Sequence, residues 1–291
     1  MQQIERGIYF EDAYLGVTLG ALVYPHGTIM VDAPLRSEDA RSWRSALINQ
    51  RGGPNRLLVS MDAHPDRTLG TRALDCTIIA HQKTAQVFRN RPTVFKGQSM
   101  ETGSDWETYA EAVGMRWAAP DITFSERMTL HWGNGEVILE HRPGPTPGSI
   151  WIIVPEVRVV FVGDAVVQSQ APFLAYADLD AWIESLDVLV KAYRDYTIIG
   201  GRGGPIASAD VKAQQRILKD VVAGMEKLAR KGVTPEGTEV LSAPLLTKCK
   251  VAPEMRERSA RRLKHGLYHC FARRYHSESA LGPVETESEE Q

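Results

Sequence analysis

The chain has 291 residues, 43% of them hydrophobic and 24% charged, enough apolar material for a folded protein with a sizeable core. A net charge of −2 carries no electrostatic footprint for nucleic acid or an anionic membrane surface, and no apolar stretch reaches the ~20 residues that a membrane span needs. Cys76, Cys249 and Cys270 have no paired spacing, which argues against a disulfide framework or a structural zinc site; with the charged start MQQIERG, unlike a signal peptide, they predict a cytoplasmic protein.

The elements follow in order. Tyr14–Val23 and Thr28–Val31 read as strands separated by the turn Pro25-His26-Gly27, and the second ends at Asp32, expected to cap a turn or orient a neighbour. A helix is predicted from Ser37, its expected N-cap, to about Asn49, ending at Gly52-Gly53-Pro54. Leu57, Leu58 and Val59 form a short apolar run with the character of a buried strand. It stops at Asp62, His64, Asp66 and Arg67. An extended backbone would put Asp62, His64 and Asp66 on one side, facing a common point. Two carboxylates and an imidazole so placed suit a divalent metal; a polar loop satisfied by Arg67 is the competing reading. A strand at Thr77–Ala80 ends at His81, expected as a structural histidine. The irregular insertion at about 88–118 contains Pro92, Gly97 and Gly103, with a helical piece near Asp105–Val113 capped by Ser104. It reads as a lid or a homodimer contact, with no residue chemical by type.

Strands return from Ile122, with Gly133-Asn134-Gly135 as a hairpin turn. Val137–Glu140 leads into a Pro- and Gly-rich loop, His141–Ser149, and then strands at Ile150–Val154 and Val157–Val162, the last ending in Gly163-Asp164. Leu179–Tyr193 is an amphipathic helix whose apolar stripe marks core packing. Thr197–Ile199 runs into Gly200-Gly201-Arg202-Gly203-Gly204-Pro205, which lacks the lysine of a phosphate-binding loop. Ser208 is expected to cap a helix to about Arg230. A last helix, about Pro253–Tyr275, carries many arginines, expected as a solvated face over Leu263, Leu267 and Phe271. The acidic tail 284–291 reads as disordered, and 1–283 as one domain with C-terminal helices at about 208–276.

Four post-strand loops taken together resemble the metallo-β-lactamase-fold hydrolases. The segments MDAHPDR, GPTPGS, FVGDA and GGRGGP fall in the order of that family's motifs: T-H-x-H-x-D-H, a G-H-T-x-G-S-like loop, F-x-G-D and P-G-H-G. The resemblance implies an α/β fold, a four-layer αββα sandwich with a dinuclear metal site at the sheet edges. It also implies ligand positions. Asp62 stands where the first His is expected, His64 and Asp66 keep their motif residues, Arg67 replaces the following His, Pro145 replaces the third-loop His, Asp164 keeps the bridging Asp, and Arg202 replaces the last His.

Arginine stays protonated and has no lone pair to donate, and proline offers no side-chain ligand. The expectation is therefore a degenerate site in which Arg67 or Arg202 pairs with Asp66 or Asp164 in place of the second metal. Asp62, His64 and Asp164 remain as a weak or vacant metal face, holding either no cofactor or one divalent ion (Zn, Mn or Fe). The leading functional expectation is binding without hydrolysis of a small anionic molecule, through Arg67 and Arg202, or of a partner. The alternative is a mononuclear metal-dependent hydrolase of an ester, thioester, lactone or phosphoester, with Asp66 as general base or orienting the water. A partner-binding role would make the insertion and last helix a homodimer contact.

Overall fold

The strands of a first sheet follow the order of the chain: β1 (Gln2–Glu5), β2 (Ile8–Glu11), β3 (Leu19–Tyr24), β4 (Gly27–Val31), β5 (Asn55–Val59), β6 (Thr77–His81) and β7 (Ile122–Phe124). The first four pair antiparallel through short turns, and β4 to β7 pair parallel. Parallel neighbours need crossovers; α1 (Ser37–Ile48) joins β4 to β5, and the short α2 (Pro65–Thr68) lies between β5 and β6. After β6 comes α3 (Gln82–Arg89), capped by His81, whose Nδ1 accepts from the Lys83 N–H while Nε2 lies 2.7 Å from the Ser125 carbonyl. His81 is thus a satisfied structural residue. The second sheet has the order β13-β12-β11-β10-β9-β8, with β8 (Arg127–His131), β9 (Glu136–His141), β10 (Ile150–Val154), β11 (Val159–Val167), β12 (Thr197–Arg202) and β13 (Pro205–Ile206). α4 (Leu179–Ala192), α5 (Ser208–Ala229), α6 (Ser242–Lys248) and α7 (Arg256–Tyr275) complete the chain. The computed structural model describes residues 1–50, 52–97, 102–133 and 135–276, so Asn134 of the hairpin turn and the acidic tail lie outside the described residues.

Period-two patterning builds the layers. In β10 and β11 both faces are buried, so alternate residues enter different cores. Ile150, Ile152, Val159 and Phe161 meet Phe10, Leu22, Ile29 and Val59 of the first sheet in a core between the sheets. Trp151, Ile153, Val160 and Val162 point the other way, against Trp182, Leu186 and Leu189 of α4, Leu218 of α5 and Leu263 of α7. On the outer face of the first sheet, Trp43 and Leu47 of α1 cover Leu19, Ala21, Met30 and Leu58. The result is helix, sheet, sheet, helix, a four-layer αββα sandwich.

Local details depart from the sequence reading. Residues 14–18 are irregular, and β1 and β2 precede them; the polar QQIE of β1 gave no strand signal. Ser37 and Ser208 are first helical residues, with Arg36 and Ala207 at the caps. The Ala207 N–H is satisfied by Asp210 Oδ2 at 3.0 Å instead. The piece near Asp105–Val113 is two 3-10 turns, Asp105–Thr108 and Ala110–Ala112. Asp164 lies inside β11 rather than after its end. The arginines of α7 do not all face solvent, because Arg262 is buried.

Candidate functional site

The site begins with how the β5–α2 turn folds. Pro65 takes the first helical position, which needs no N–H and suits its fixed φ. His64 caps that turn, its Nδ1 accepting from the Asp66 N–H at 3.2 Å. The extended alternation expected for Asp62, His64 and Asp66 therefore does not occur. A helical turn instead carries Asp66 and Arg67 inward, where both are fully buried.

Arg67 is the centre of the cluster. Its Nη1 lies 2.5 Å from Asp32 Oδ2, its Nε 2.9 Å from Asp62 Oδ1 and its Nη2 2.7 Å from Asp164 Oδ1. Only the Asp32 contact is aligned as a hydrogen bond; the other two are ion contacts. Asp32, at the end of β4 with φ of +57°, also accepts from the Met61 N–H at 2.8 Å, so it orients its neighbours. Arg202, at the end of β12, forms the second node, 3% exposed. Its Nη1 lies 2.9 Å from Asp66 Oδ2, 2.5 Å from Asp105 Oδ2 and 3.2 Å from the Gly16 carbonyl, while its Nε donates to Asp164 Oδ1 at 3.3 Å. A Cβ on the preceding Gly201 would stand 2.4 Å from Asp164 Oδ1, so only glycine admits this approach of β12 to β11.

The insertion supplies a residue that the sequence reading passed over. Asp66 accepts from the Asp105 N–H at 3.0 Å and the Trp106 N–H at 2.8 Å, which fixes the loop over the cluster. Asp105 then takes Arg202 on one oxygen and Arg258 of α7 on the other, at 2.6 Å. Arg262 donates to the carbonyls of Gly103 and Ala171 and to Gln170. Its guanidinium lies 3.7 Å from the Phe173 ring centroid, and that of Arg202 lies 4.5 Å from the same ring. A short acidic side chain in a 3-10 turn, and arginines on a basic helix, carry no periodic signal that would have marked them.

Charge explains the titration. Five carboxylates (Asp32, Asp62, Asp66, Asp105 and Asp164) meet three guanidiniums in ion contact (Arg67, Arg202 and Arg258). Burial pushes Asp32 up to about 7, only partly offset by Arg67, whose charge is shared three ways. Burial raises Asp62 likewise. Asp164 is also buried, but Arg202 and Arg67 together hold it well below the usual carboxylate range. Burial, then the nearby Arg202, keeps His64 neutral, far below its ordinary value. Ser104 Oγ lies 3.4 Å from His64 Nε2, and His64 Nδ1 lies 3.7 Å from Asp66 Oδ2. The order suggests a nucleophile, base and acid, but Nδ1 accepts the Asp66 N–H, which leaves the proton on Nε2. His64 can donate to Ser104 and cannot deprotonate it.

Residues 69–201 match the metallo-β-lactamase superfamily model, a match that begins just after Arg67. The fold is similar to a metallo-β-lactamase from Pontibacter korlensis, with a TM-score of 0.60 at 15% identity over 75% of this chain and 97% of that one. It is similar to the DIM-1 metallo-β-lactamase, with a TM-score of 0.58 at 17% identity over 75% and 95% of the two chains. The chain has the metallo-β-lactamase fold. A stereoselective inverting sec-alkylsulfatase from Pseudomonas sp. aligns over 97% of the present chain and 52% of its own, with a TM-score of 0.61 at 14% identity. No curated protein matches the sequence.

Within the metallo-β-lactamase fold, Asp62, His64, Asp66 and Asp164 come together with Arg67 and Arg202, but the carboxylates are engaged. Asp62 and Asp164 both hold Arg67, Asp164 also holds Arg202, and Asp66 holds Arg202 and two backbone N–H groups. Among the described residues no three His, Cys, Asp or Glu side chains are grouped so as to hold a metal ion. A cation placed between these carboxylates would sit against two fixed guanidiniums. The donor set as arranged does not fit a metal.

Proposed function

We propose that this metallo-β-lactamase-fold protein acts by binding rather than by hydrolysis, with Arg67 and Arg202 serving as fixed replacements for metal charge in a degenerate active site. One observation carries the reading: the three nitrogens of Arg67 lie on three different carboxylates, with the side chain 0% exposed. A guanidinium cannot give up its proton to become a ligand, and moving it would leave Asp32, Asp62 and Asp164 buried without a counter-charge. Asp66, expected as a general base, already accepts from two backbone N–H groups and lies in ion contact with Arg202.

The same saturation narrows what is bound. A small anion at Arg67 or Arg202 would have to displace a carboxylate, so the two arginines are structural in this reading and the binding role passes to surfaces outside the cluster. The mononuclear hydrolase is the weaker alternative, because two of its three ligands, Asp62 and Asp164, already pair with Arg67. No helix among the described residues is long and apolar enough to cross a membrane.

The test is elemental analysis after chelation and zinc reloading, with assays on ester, thioester, lactone, phosphoester and sulfate-ester substrates. The expected result is no metal whose retention depends on Asp164 and no metal-dependent turnover. A full equivalent of metal lost in Asp164→Asn, with turnover abolished by His64→Ala, would overturn the reading.

A further inference from the structure

The later part of α7 presents a different set of donors. The 3-10 segment Pro235–Leu241 runs alongside it, and the two enclose an open cavity of about 540 Å³. Two histidines, His265 and His269, stand one helical turn apart on the wall that α7 supplies, in the sequence HGLYH. Residues at i and i+4 share one helix face. Their ring centroids are 4.4 Å apart with the planes inclined by 53°. Apart from this mutual contact and that of His269 with Tyr268, neither imidazole forms a hydrogen bond among the described residues. The opposite wall carries Glu236 and Glu239, the latter paired with Lys264 at 3.1 Å.

Two imidazoles at this spacing on a helix form a bidentate nitrogen chelate, a geometry that suits borderline divalent metals. Arg261 and Lys264 line the cavity with Glu236 and Glu239, so its charges balance, and no carboxylate is grouped with the pair as a third ligand, which leaves the remaining positions to water. None of these residues belongs to the Arg67 cluster.

We propose that His265 and His269 form a chelating site for a divalent transition-metal ion, opening into the cavity between α7 and the Pro235–Leu241 segment. Affinity follows the general order for nitrogen sites, Cu²⁺ above Ni²⁺ and Zn²⁺.

The experiment uses the full chain without a purification tag, stripped with chelator and titrated calorimetrically with NiCl₂, ZnCl₂ and CuCl₂. One ion per chain is expected, with at least a tenfold loss of affinity in His265→Gln and in His269→Gln. Electron paramagnetic resonance of the Cu²⁺ form supplies a second readout, with coupling to two imidazole nitrogens in the unaltered chain and to one in either variant. Circular dichroism checks that the variants fold, and the amide side chains keep the size and polarity of the wall. Unchanged affinity in the double variant, no binding at metal concentrations up to a millimolar, or binding lost in His64→Gln instead would each overturn the assignment.

Discussion

Two stretches of α7 meet opposite electrostatic conditions. Arg258 and Arg262 in the first half enter the protein, and each ends on fixed acceptors: Asp105 for one, and the Gly103 and Ala171 carbonyls with Gln170 for the other. His265 and His269, farther along the helix, touch rings and face an open cavity. A buried charge persists only when it is matched, and matching consumes the hydrogen-bonding capacity that a ligand would use. Burial followed by the like charge of Arg202 brings Arg262 down to about 9. The Arg67 cluster is therefore rich in functional groups and poor in free ones, while the sparser cavity keeps its donors available.

The sharpest way to break this contrast is at Arg67. Arg67→Ala leaves three buried carboxylates without their shared cation, and loss of one partner from a buried pair costs roughly 3–5 kcal/mol. Since domains are stable by about 5–15 kcal/mol in all, Arg67→Ala is expected to fall largely into the insoluble fraction. Arg67→Lys keeps the charge but not the three-way fork, and urea denaturation should show a smaller loss. Equal midpoints for Arg67→Ala and the unaltered chain would mean that the cluster is not holding these loops together.

Arg202→Ala comes next. Asp105 keeps Arg258 and Asp164 keeps Arg67, so Asp66 loses the most. The expected cost is about 3 kcal/mol, the low end for a buried pair, and part of it is lost stacking on Phe173. Hydrogen exchange should localise the opening to residues 102–112, because Asp105 is tied to both Asp66 and Arg202.

These two positions also show what could be read in the sequence. Asp62, Asp66, Arg67, Asp164 and Arg202 were legible because each sits in or beside a strand-terminal motif whose order follows a known pattern. The layers were legible because β10, β11 and α4 have clear periods of two and 3.6. Asp32 was legible only as an acid at a strand end, since nothing local shows that Arg67 will arrive 35 positions later. Asp105 was not legible, because its role comes from the path of an irregular loop. Arg262 was misread as solvated, since on a basic helix the inward arginine differs from its neighbours only in what the fold brings against it.

The pH dependence offers a finer test at Asp32. Its carboxyl titrates at about 7 in the folded protein against an ordinary value of 3.8, so between those values the native state holds a proton that the unfolded chain releases. Stability contributed by that proton is present below pH 4 and is lost as pH rises toward 7, by up to about 1.4 kcal/mol per pH unit. Asp32→Asn removes this slope. The stability deficit of the variant should be largest near pH 4–5 and should narrow by pH 7. His64, lowered by burial, acts in the opposite direction below its ordinary value of 6.5, but it is common to both chains and cancels in the difference. A deficit that stays constant from pH 4 to 7 would show that Asp32 is ionised throughout.

The smallest effect is expected at Lys264, where the comparison is most direct. Its ammonium lies 3.1 Å from Glu239, close to the 2.9 Å that separates Arg67 from Asp62. Distance alone would rank the two contacts together. Lys264 and Glu239 are 63% and 61% exposed, however, so water screens the pair and the long side chain gives up entropy to hold it. Lys264→Ala should change stability by roughly 0.2–1 kcal/mol, and less in 1 M salt, where charges are screened within about 3 Å. A loss approaching that of Arg202→Ala would mean that proximity rather than burial sets the strength of these contacts, and the distinction between the buried cluster and the open cavity would fail with it.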